Sequence, residues 1–168
     1  MERIADLNLT EEEVFKKAKM LVTKVRRASA ENPPNLESAI KILENLRREI
    51  YEDLNQIQHE AMILRAGLVL QRSDLINEDV EWYWNPRQRG GAEEPDLRGI
   101  IAGQIKVSAE VTASEKPEGT IERRMQATLS KLSKMRGKRI YFVRTQAMEK
   151  RARSKVKKAG YQIEVQRI

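Results

Sequence analysis

The stretch that most constrains the fold runs from Pro95 to Thr112 and contains two apolar runs that meet near Gly103. The second run alternates apolar and polar residues, which is typical of a strand with one buried face. If the two runs are neighbouring strands joined near Gly103, Asp96 at the start of the first and Glu110 inside the second converge on one place. Two carboxylates at one place are able to hold a hard divalent cation.

The charge of the chain is distributed unevenly. The net charge is +7, and the last 52 residues carry 15 lysines and arginines against 4 acidic residues. The preceding residues carry 17 against 21, so the positive field belongs to the C-terminal third. A basic region beside a small acidic cluster suits metal-dependent chemistry on a phosphate backbone, although a solvated surface that maintains solubility also explains the charge.

The composition argues against several classes of protein. There is no cysteine, which excludes a disulfide framework, a thiol nucleophile and a zinc-thiolate site. No apolar run approaches the roughly 20 residues that span a bilayer. The first residues lack the basic and apolar regions of a signal peptide. We therefore expect a cytoplasmic protein that does not contact a membrane.

Helical periodicity occupies the first part of the chain. A first helix is predicted from about residue 10 to 30, with Thr10 as its cap, and a pair of prolines ends it. A second is predicted from residue 35 or 36 to about 72, with apolar residues at heptad spacing. That seam predicts either a homodimer through the N-terminal helices or packing of the helix's second half on the next domain. We accordingly divide the chain into a helical arm, 1–57, and an α/β core, 58–168.

The second helix also carries two candidate polar residues. His59 is the only histidine, and a solvated or hydrogen-bonded side chain is the expected state for a histidine that stands alone. Glu60 is either a surface glutamate or an additional metal ligand.

After residue 73 the period changes to that of strands. Residues 80–84 predict a short strand with Trp82 and Trp84 on one face, where they either pack in the core or stack on bases. The polar connection that follows carries Arg87 and Arg89, and it suits either a substrate contact or an ordinary surface turn.

The C-terminal part alternates helices and strands. A helix is predicted from Thr120 as its cap to Gly137, followed by a strand, a helix capped by Thr145 and ended by Gly160, and a closing strand. A strand, a helix and a strand in succession favour a right-handed crossover and a parallel pair. The predicted fold class is therefore α/β, a mixed β-sheet flanked by helices, with an N-terminal helical hairpin extension.

Exposed cations on the last two helices are candidate contacts for a nucleic-acid backbone. They fall on the sides of each helix away from its apolar stripe. They are Arg123, Arg124, Lys131, Lys134, Lys150, Arg151, Arg153, Lys155, Lys157 and Lys158.

The spacing of Pro95-Asp96 and Glu110-Val111-Thr112 resembles the motif of the PD-(D/E)XK nuclease superfamily, and the element order from the second helix onward is similar to its restriction-endonuclease-like core. The resemblance implies cleavage of DNA, rather than RNA, with Mg²⁺ or Mn²⁺ as the cofactor. Asp96 and Glu110 are its implied metal ligands, and the carbonyl of Val111 is a further candidate. Members of the family often add a glutamate from the preceding helix, which matches Glu60.

The chain departs from the family motif at one position. Thr112 stands where the family has a lysine and carries no charge. The lysine's role then falls to Lys106 on the same strand face or to Gln126 on the next helix, or Thr112 itself orders the attacking water. Otherwise the site binds nucleic acid without cutting it, and a module that docks a partner through its long helix is the remaining alternative.

Overall fold

The computed structural model describes residues 1–73, 79–87 and 94–168. The described elements form a helical hairpin followed by strands that alternate with helices. In chain order they are β1 (Glu2–Ile4), α1 (Leu7–Ser29), α2 (Leu36–Gln71), β2 (Glu81–Trp84), β3 (Leu97–Ile101), β4 (Gln104–Thr112), α3 (Thr120–Ser133), β5 (Lys138–Val143), α4 (Gln146–Ala159) and β6 (Glu164–Arg167).

The described strands form one mixed sheet in the order β1-β2-β3-β4-β5-β6. The pairs from β1 to β4 are antiparallel, and β4, β5 and β6 run parallel. The parallel pairs follow from the two helical connections, because a helix between strands returns the chain to the same end of the sheet. The α/β class, the helical hairpin and the mixed sheet are thus confirmed, whereas the three-residue β1 was not predicted.

Two cores lie on opposite faces of the sheet, because side chains alternate along each strand. Ile140 and Phe142 of β5 join a cluster with α1, α2 and the antiparallel strands. Tyr141 and Val143 join a cluster with α3, α4 and β6. The sheet is therefore sandwiched between the helical hairpin and the two C-terminal helices.

The two tryptophans of β2 belong to the first core. Trp82 and Trp84 are both buried against that cluster. Stacking on bases is therefore wrong as an interpretation of either side chain, since neither ring is accessible.

Three of the predicted helix boundaries are wrong. Asp6 rather than Thr10 caps α1, because its carboxylate accepts from the backbone N–H groups of the first turn. Gly119, without a side-chain cap, precedes α3, and this helix ends at Ser133. Gly137 is instead needed just before β5, since a Cβ there would lie 2.6 Å from the backbone of Lys106.

The boundaries of α2 and α4 agree with the predictions. Asn35 accepts a hydrogen bond from Ser38 N at the start of α2, and Thr145 accepts from Met148 N at the start of α4. The division proposed after residue 57 falls inside α2. The start of α1 also packs into the first core, so part of the predicted arm contacts the sheet.

Candidate active site

The hairpin of β3 and β4 brings Asp96 and Glu110 together. A two-residue turn at Ala102 and Gly103, both with positive φ, and a β-bulge beside Gly99 and Ile100 together set the register of the hairpin. Leu97 consequently faces Ala109, and the preceding Asp96 comes opposite Glu110. Both carboxylates are buried, and both are close enough for the charge of Asp96 to act on Glu110.

Asp96 is held by the backbone and by α2. Its Oδ2 accepts a hydrogen bond from Val111 N at 2.9 Å. His59 Nε2 lies 3.3 Å from the same oxygen, although its orientation does not make a hydrogen bond. The second carboxylate oxygen, Oδ1, is left for another contact.

Glu110 is paired with a lysine from the following helix. Lys131 Nζ lies 2.7 Å from Glu110 Oε1. Burial and the charge of Asp96 nevertheless raise the pKa of Glu110 to about 8, and the contact with Lys131 offsets only part of this effect. Two buried carboxylates this close together disfavour each other's ionisation, and a divalent cation between them would relieve that repulsion.

His59 connects the site to the end of β2. Its Nδ1 lies 3.4 Å from the carbonyl oxygen of Pro86, which also accepts a hydrogen bond from Gln56 Nε2. Burial alone would lower the pKa of His59, but Asp96 and this carbonyl raise it overall. The imidazole therefore lies between the carboxylate of Asp96 and the end of β2.

Glu110 lines an open cleft between α2 and α3 with a volume of about 730 Å³, and Asp96 is buried beside Glu110 without lining the cleft. Tyr51, Asn55 and His59 line its α2 side. Arg124 and Thr128 line its α3 side, with Glu110 between the two helices. The cleft therefore reaches the carboxylate of Glu110 from the surface between the two helices.

Three predicted catalytic residues lie in different places. Thr112 borders the cleft, and its hydroxyl is 2.7 Å from the buried hydroxyl of Tyr141. Lys106 lies at the opposite end of β4, where it donates to Gln104. Gln126 faces α4, where it accepts from Lys155. The structure does not bring Lys106 or Gln126 to the carboxylates, because each points away from the cleft along its own element.

Glu60 is buried but does not join Asp96. Its carboxylate accepts from Lys17 Nζ at 2.8 Å and from Gln56 Nε2 at 3.1 Å. It lines a separate cavity between α1 and α2, since adjacent helix positions point about 100° apart. Glu60 therefore ties α1 to α2, while its neighbour His59 is the α2 side chain that reaches the site.

The candidate nucleic-acid contacts divide into two groups. In the first, Glu122 accepts from Arg151 and Lys155, and Glu149 accepts from Arg153. The hydrogen bond from Arg151, followed by that from Lys155, lowers the pKa of Glu122 to about 2. These three cations stabilise α4 against its surroundings, and Lys131 is paired with Glu110.

The second group has no ion-pair partner in the described part of the chain. Its members lie on the outer sides of α3 and α4 or at the cleft. They are Arg87, Arg123, Arg124, Lys134, Lys150, Lys157 and Lys158. Arg89, predicted in the same role, lies outside the described residues.

The two carboxylates fit a divalent cation in charge and chemistry. Glu110 Oε1 is buried without a well-oriented hydrogen bond, Asp96 Oδ1 is not engaged by Val111, and Val111 itself lines the cleft. Across residues 1–73, 79–87 and 94–168, no group of three or more histidine, aspartate or glutamate side chains is arranged to hold a metal. A cation here would therefore take two carboxylates from the protein and its remaining ligands from backbone, water or substrate.

His59 is predicted to be a solvated or hydrogen-bonded histidine, and it is within hydrogen-bond distance of the carbonyl of Pro86, but its position beside Asp96 was not predicted. Lys131 is predicted to contact the nucleic-acid backbone and instead pairs with Glu110. The sequence signal that places Lys131 at the site is its spacing from Arg124 and Thr128 by seven and three residues, which puts all three on one side of a helix.

The wider comparisons add no assignment. Comparison with protein-family models, curated proteins and solved structures returned no match. In the described segments, no helix has the length and apolar character needed to cross a membrane.

Proposed function

We propose that this protein is a metal-dependent nuclease that hydrolyses phosphodiester bonds of DNA. One observation supports the proposal: buried Glu110 borders a cleft, lies against the ammonium of Lys131 and has a second buried carboxylate, Asp96, beside it. The cleft also carries Arg124, which has no ion-pair partner among the described residues. This arrangement suits a phosphate diester, because phosphate charge must be neutralised before attack.

The topology supports the proposal. A long helix precedes an antiparallel hairpin, and a helical crossover then adds a parallel strand. This order is similar to the restriction-endonuclease-like core, with Asp96 at the start of one hairpin strand and Glu110 inside the next.

The residues have separable roles in this proposal. Asp96 and Glu110 would hold Mg²⁺ or Mn²⁺, which when bound supplies charge neutralisation and activates water. The backbone N–H of Val111 donates to Asp96 Oδ2 and so fixes the orientation of this carboxylate. Lys131 is positioned to donate to a phosphate oxygen or to the attacking water beside Glu110, which is the task that Thr112 lacks the charge to perform.

The cations at the cleft and on α4 favour a nucleic acid as the substrate. Arg124 borders the cleft, and Lys150, Lys157 and Lys158 project from α4 without acidic partners in the described structure. Unpaired cations bind phosphates by releasing counterions, which makes binding sensitive to salt.

The test is cleavage of linear, supercoiled and branched DNA with Mg²⁺ or Mn²⁺. We expect cleavage that Asp96→Asn and Glu110→Gln each abolish. Glu118→Gln is the matched control, because Glu118 is exposed and lies outside the cleft. An absence of cleavage with every substrate, or cleavage that survives both substitutions, would reject the nuclease.

A second candidate function is nucleic-acid binding without cleavage. The favouring observation is that Thr112 replaces the lysine and bonds to buried Tyr141 rather than reaching Glu110. This alternative predicts salt-sensitive DNA binding that Asp96→Asn leaves intact, with no cleavage product under any metal condition.

A further inference from the structure

The outer part of α2 carries an apolar stripe that no described residue covers. Its large side chains are Leu36, Ile40, Leu43, Tyr51 and Leu54, and between 42% and 77% of each is exposed. In a chain with 34% charged residues, a continuous row of exposed apolar side chains marks a contact surface.

The helix α1 packs on a different side of α2. Lys24 pairs with Asp53 and Lys17 pairs with Glu60, so the two helices run antiparallel along the α2 side that carries both acids. Asp53 is next to Leu54 in the sequence, so their side chains point about 100° apart around the helix. The stripe is therefore left facing outward.

We propose that the stripe pairs with the same stripe of a second copy, in an antiparallel helix pair with twofold symmetry. The stripe repeats at steps of four and three residues, which is the spacing of a helix that packs on another helix. In one antiparallel register, Leu36 faces Leu54 of the second copy and Ile40 faces Ile50. A twofold axis repeats every such contact, so one stripe supplies both sides.

Charge complementarity favours this register. The stripe is interrupted by Arg47, and an arginine in an apolar seam needs an acidic neighbour. The register places Leu43 opposite Arg47 of the second copy, with Glu44 next to that arginine. Symmetry supplies the reciprocal pair, so two arginines and two glutamates meet at the centre with balanced charge.

The inference is independent of the nuclease proposal. With a rise of 1.5 Å per residue, the register sets His59 of the two copies roughly 40 Å apart along the helix axis. Each cleft would then act on its own phosphodiester. Variants that abolish pairing should therefore keep any cleavage of a short duplex, and Asp96→Asn should keep the pairing.

The first experiment measures mass by sedimentation equilibrium of the full chain across micromolar concentrations. The expected mass is twice the 19.4 kDa of one chain. Ile40→Glu should raise the dissociation constant at least about 100-fold, because it buries a charge that faces only Ile50 of the second copy. Val22→Glu, at a similarly exposed apolar position on α1, should leave it unchanged. A monomer at all concentrations, or equal effects of both substitutions, would overturn the proposal.

Charge reversal tests the register while leaving the apolar side chains of the stripe unchanged. Glu44→Arg and Arg47→Glu should each weaken pairing, and the double variant should restore it. Circular dichroism at equal concentration controls for loss of helix. Failure of the double variant to restore pairing, with its helix content intact, would overturn the register.

Crosslinking distinguishes antiparallel from parallel pairing, because the chain has no native cysteine. Ile40→Cys and Ile50→Cys proteins should crosslink through a short bis-maleimide when mixed, and neither should crosslink alone. Crosslinking of either protein alone would indicate a parallel pair and overturn the proposal. No crosslinking in the mixture would overturn it as well.

Discussion

Lys131 Nζ lies 2.7 Å from Glu110 Oε1, so α3 provides an ammonium beside a strand that carries threonine where a lysine was expected. We expect Lys131→Ala to reduce the cleavage rate by about 100-fold, in the range observed when one positioned catalytic group is removed. The DNA dissociation constant should change little, because one lysine is a small part of the basic surface. Single-turnover cleavage and fluorescence anisotropy measure the two quantities.

The control for this prediction is Lys134→Ala, which removes a lysine without an ion-pair partner in the described structure from the same end of α3. It should leave the cleavage rate nearly unchanged. Adding Thr112→Lys to Lys131→Ala should recover part of the missing rate, because residue 112 also borders the cleft. Equal rates for the two single variants would contradict the assigned role of Lys131.

Glu110 should make the metal-free protein less stable as the pH rises. Its pKa is about 8 in the fold against an ordinary 4.5, with burial as the main cause. From about pH 4.5 upward the unfolded chain releases this proton while the folded chain retains it until about pH 8, so stability is lost across that window. We expect the melting temperature in EDTA to fall by several degrees between about pH 5 and 8.

Glu110→Gln is the diagnostic variant for this pH dependence. His59 also has a raised pKa, and its contribution has the same sign but begins only above its ordinary value of 6.5. The melting temperature of the variant should therefore stay constant between about pH 5 and 6.5 and fall with pH above that. An unchanged slope below pH 6.5 would show that Glu110 does not carry the effect.

The course of the chain could be predicted from periodicity, but the contacts between elements could not. The strand alternation and the turn at Gly103 predicted that Asp96 and Glu110 lie close together, but the bulge beside Gly99 and Ile100, which shifts the register by one residue and brings Asp96 opposite Glu110, was not predicted. Lys131 and His59 come from helices on opposite faces of the sheet, so their approach to the carboxylates depends on how α2 and α3 pack. Glu60 is buried against Lys17 and Gln56 and is not the surface glutamate that was one of its two predicted states, because the packing of α1 on α2 could not be predicted from periodicity.

The different contacts of Glu60 and Glu110 predict different responses to metal. Glu110→Ala should abolish the rise in melting temperature that Mg²⁺ or Mn²⁺ causes, because it removes one of the two proposed ligands. Glu60→Ala should lower the melting temperature by breaking the contacts with Lys17 and Gln56, yet it should keep the rise with metal. Thermal scans with metal and with EDTA measure both effects. Disappearance of the metal response in Glu60→Ala would restore Glu60 as a ligand.

The paired and unpaired cations of α4 predict separate effects on stability and on DNA binding. Lys150, Lys157 and Lys158 have no described ion-pair partner, so changing all three to alanine should weaken DNA binding. The salt slope should fall by about 0.9 for each DNA phosphate that the variant no longer neutralises. The melting temperature should hardly change, because exposed unpaired lysines contribute little to the fold.

The matched control changes the three partnered cations of the same helix, Arg151, Arg153 and Lys155, to alanine. Two of them hold Glu122 of α3, and Arg153 holds Glu149 and the carbonyl of Val165. Their removal should lower the melting temperature modestly, because it breaks ion pairs at the surface of α4 while the apolar core shared with α3 remains. The salt slope should fall less than in the first variant, since cations already neutralised by acids release fewer counterions. Equal salt slopes in the two triple variants would show that ion pairing does not decide which cations of α4 meet DNA.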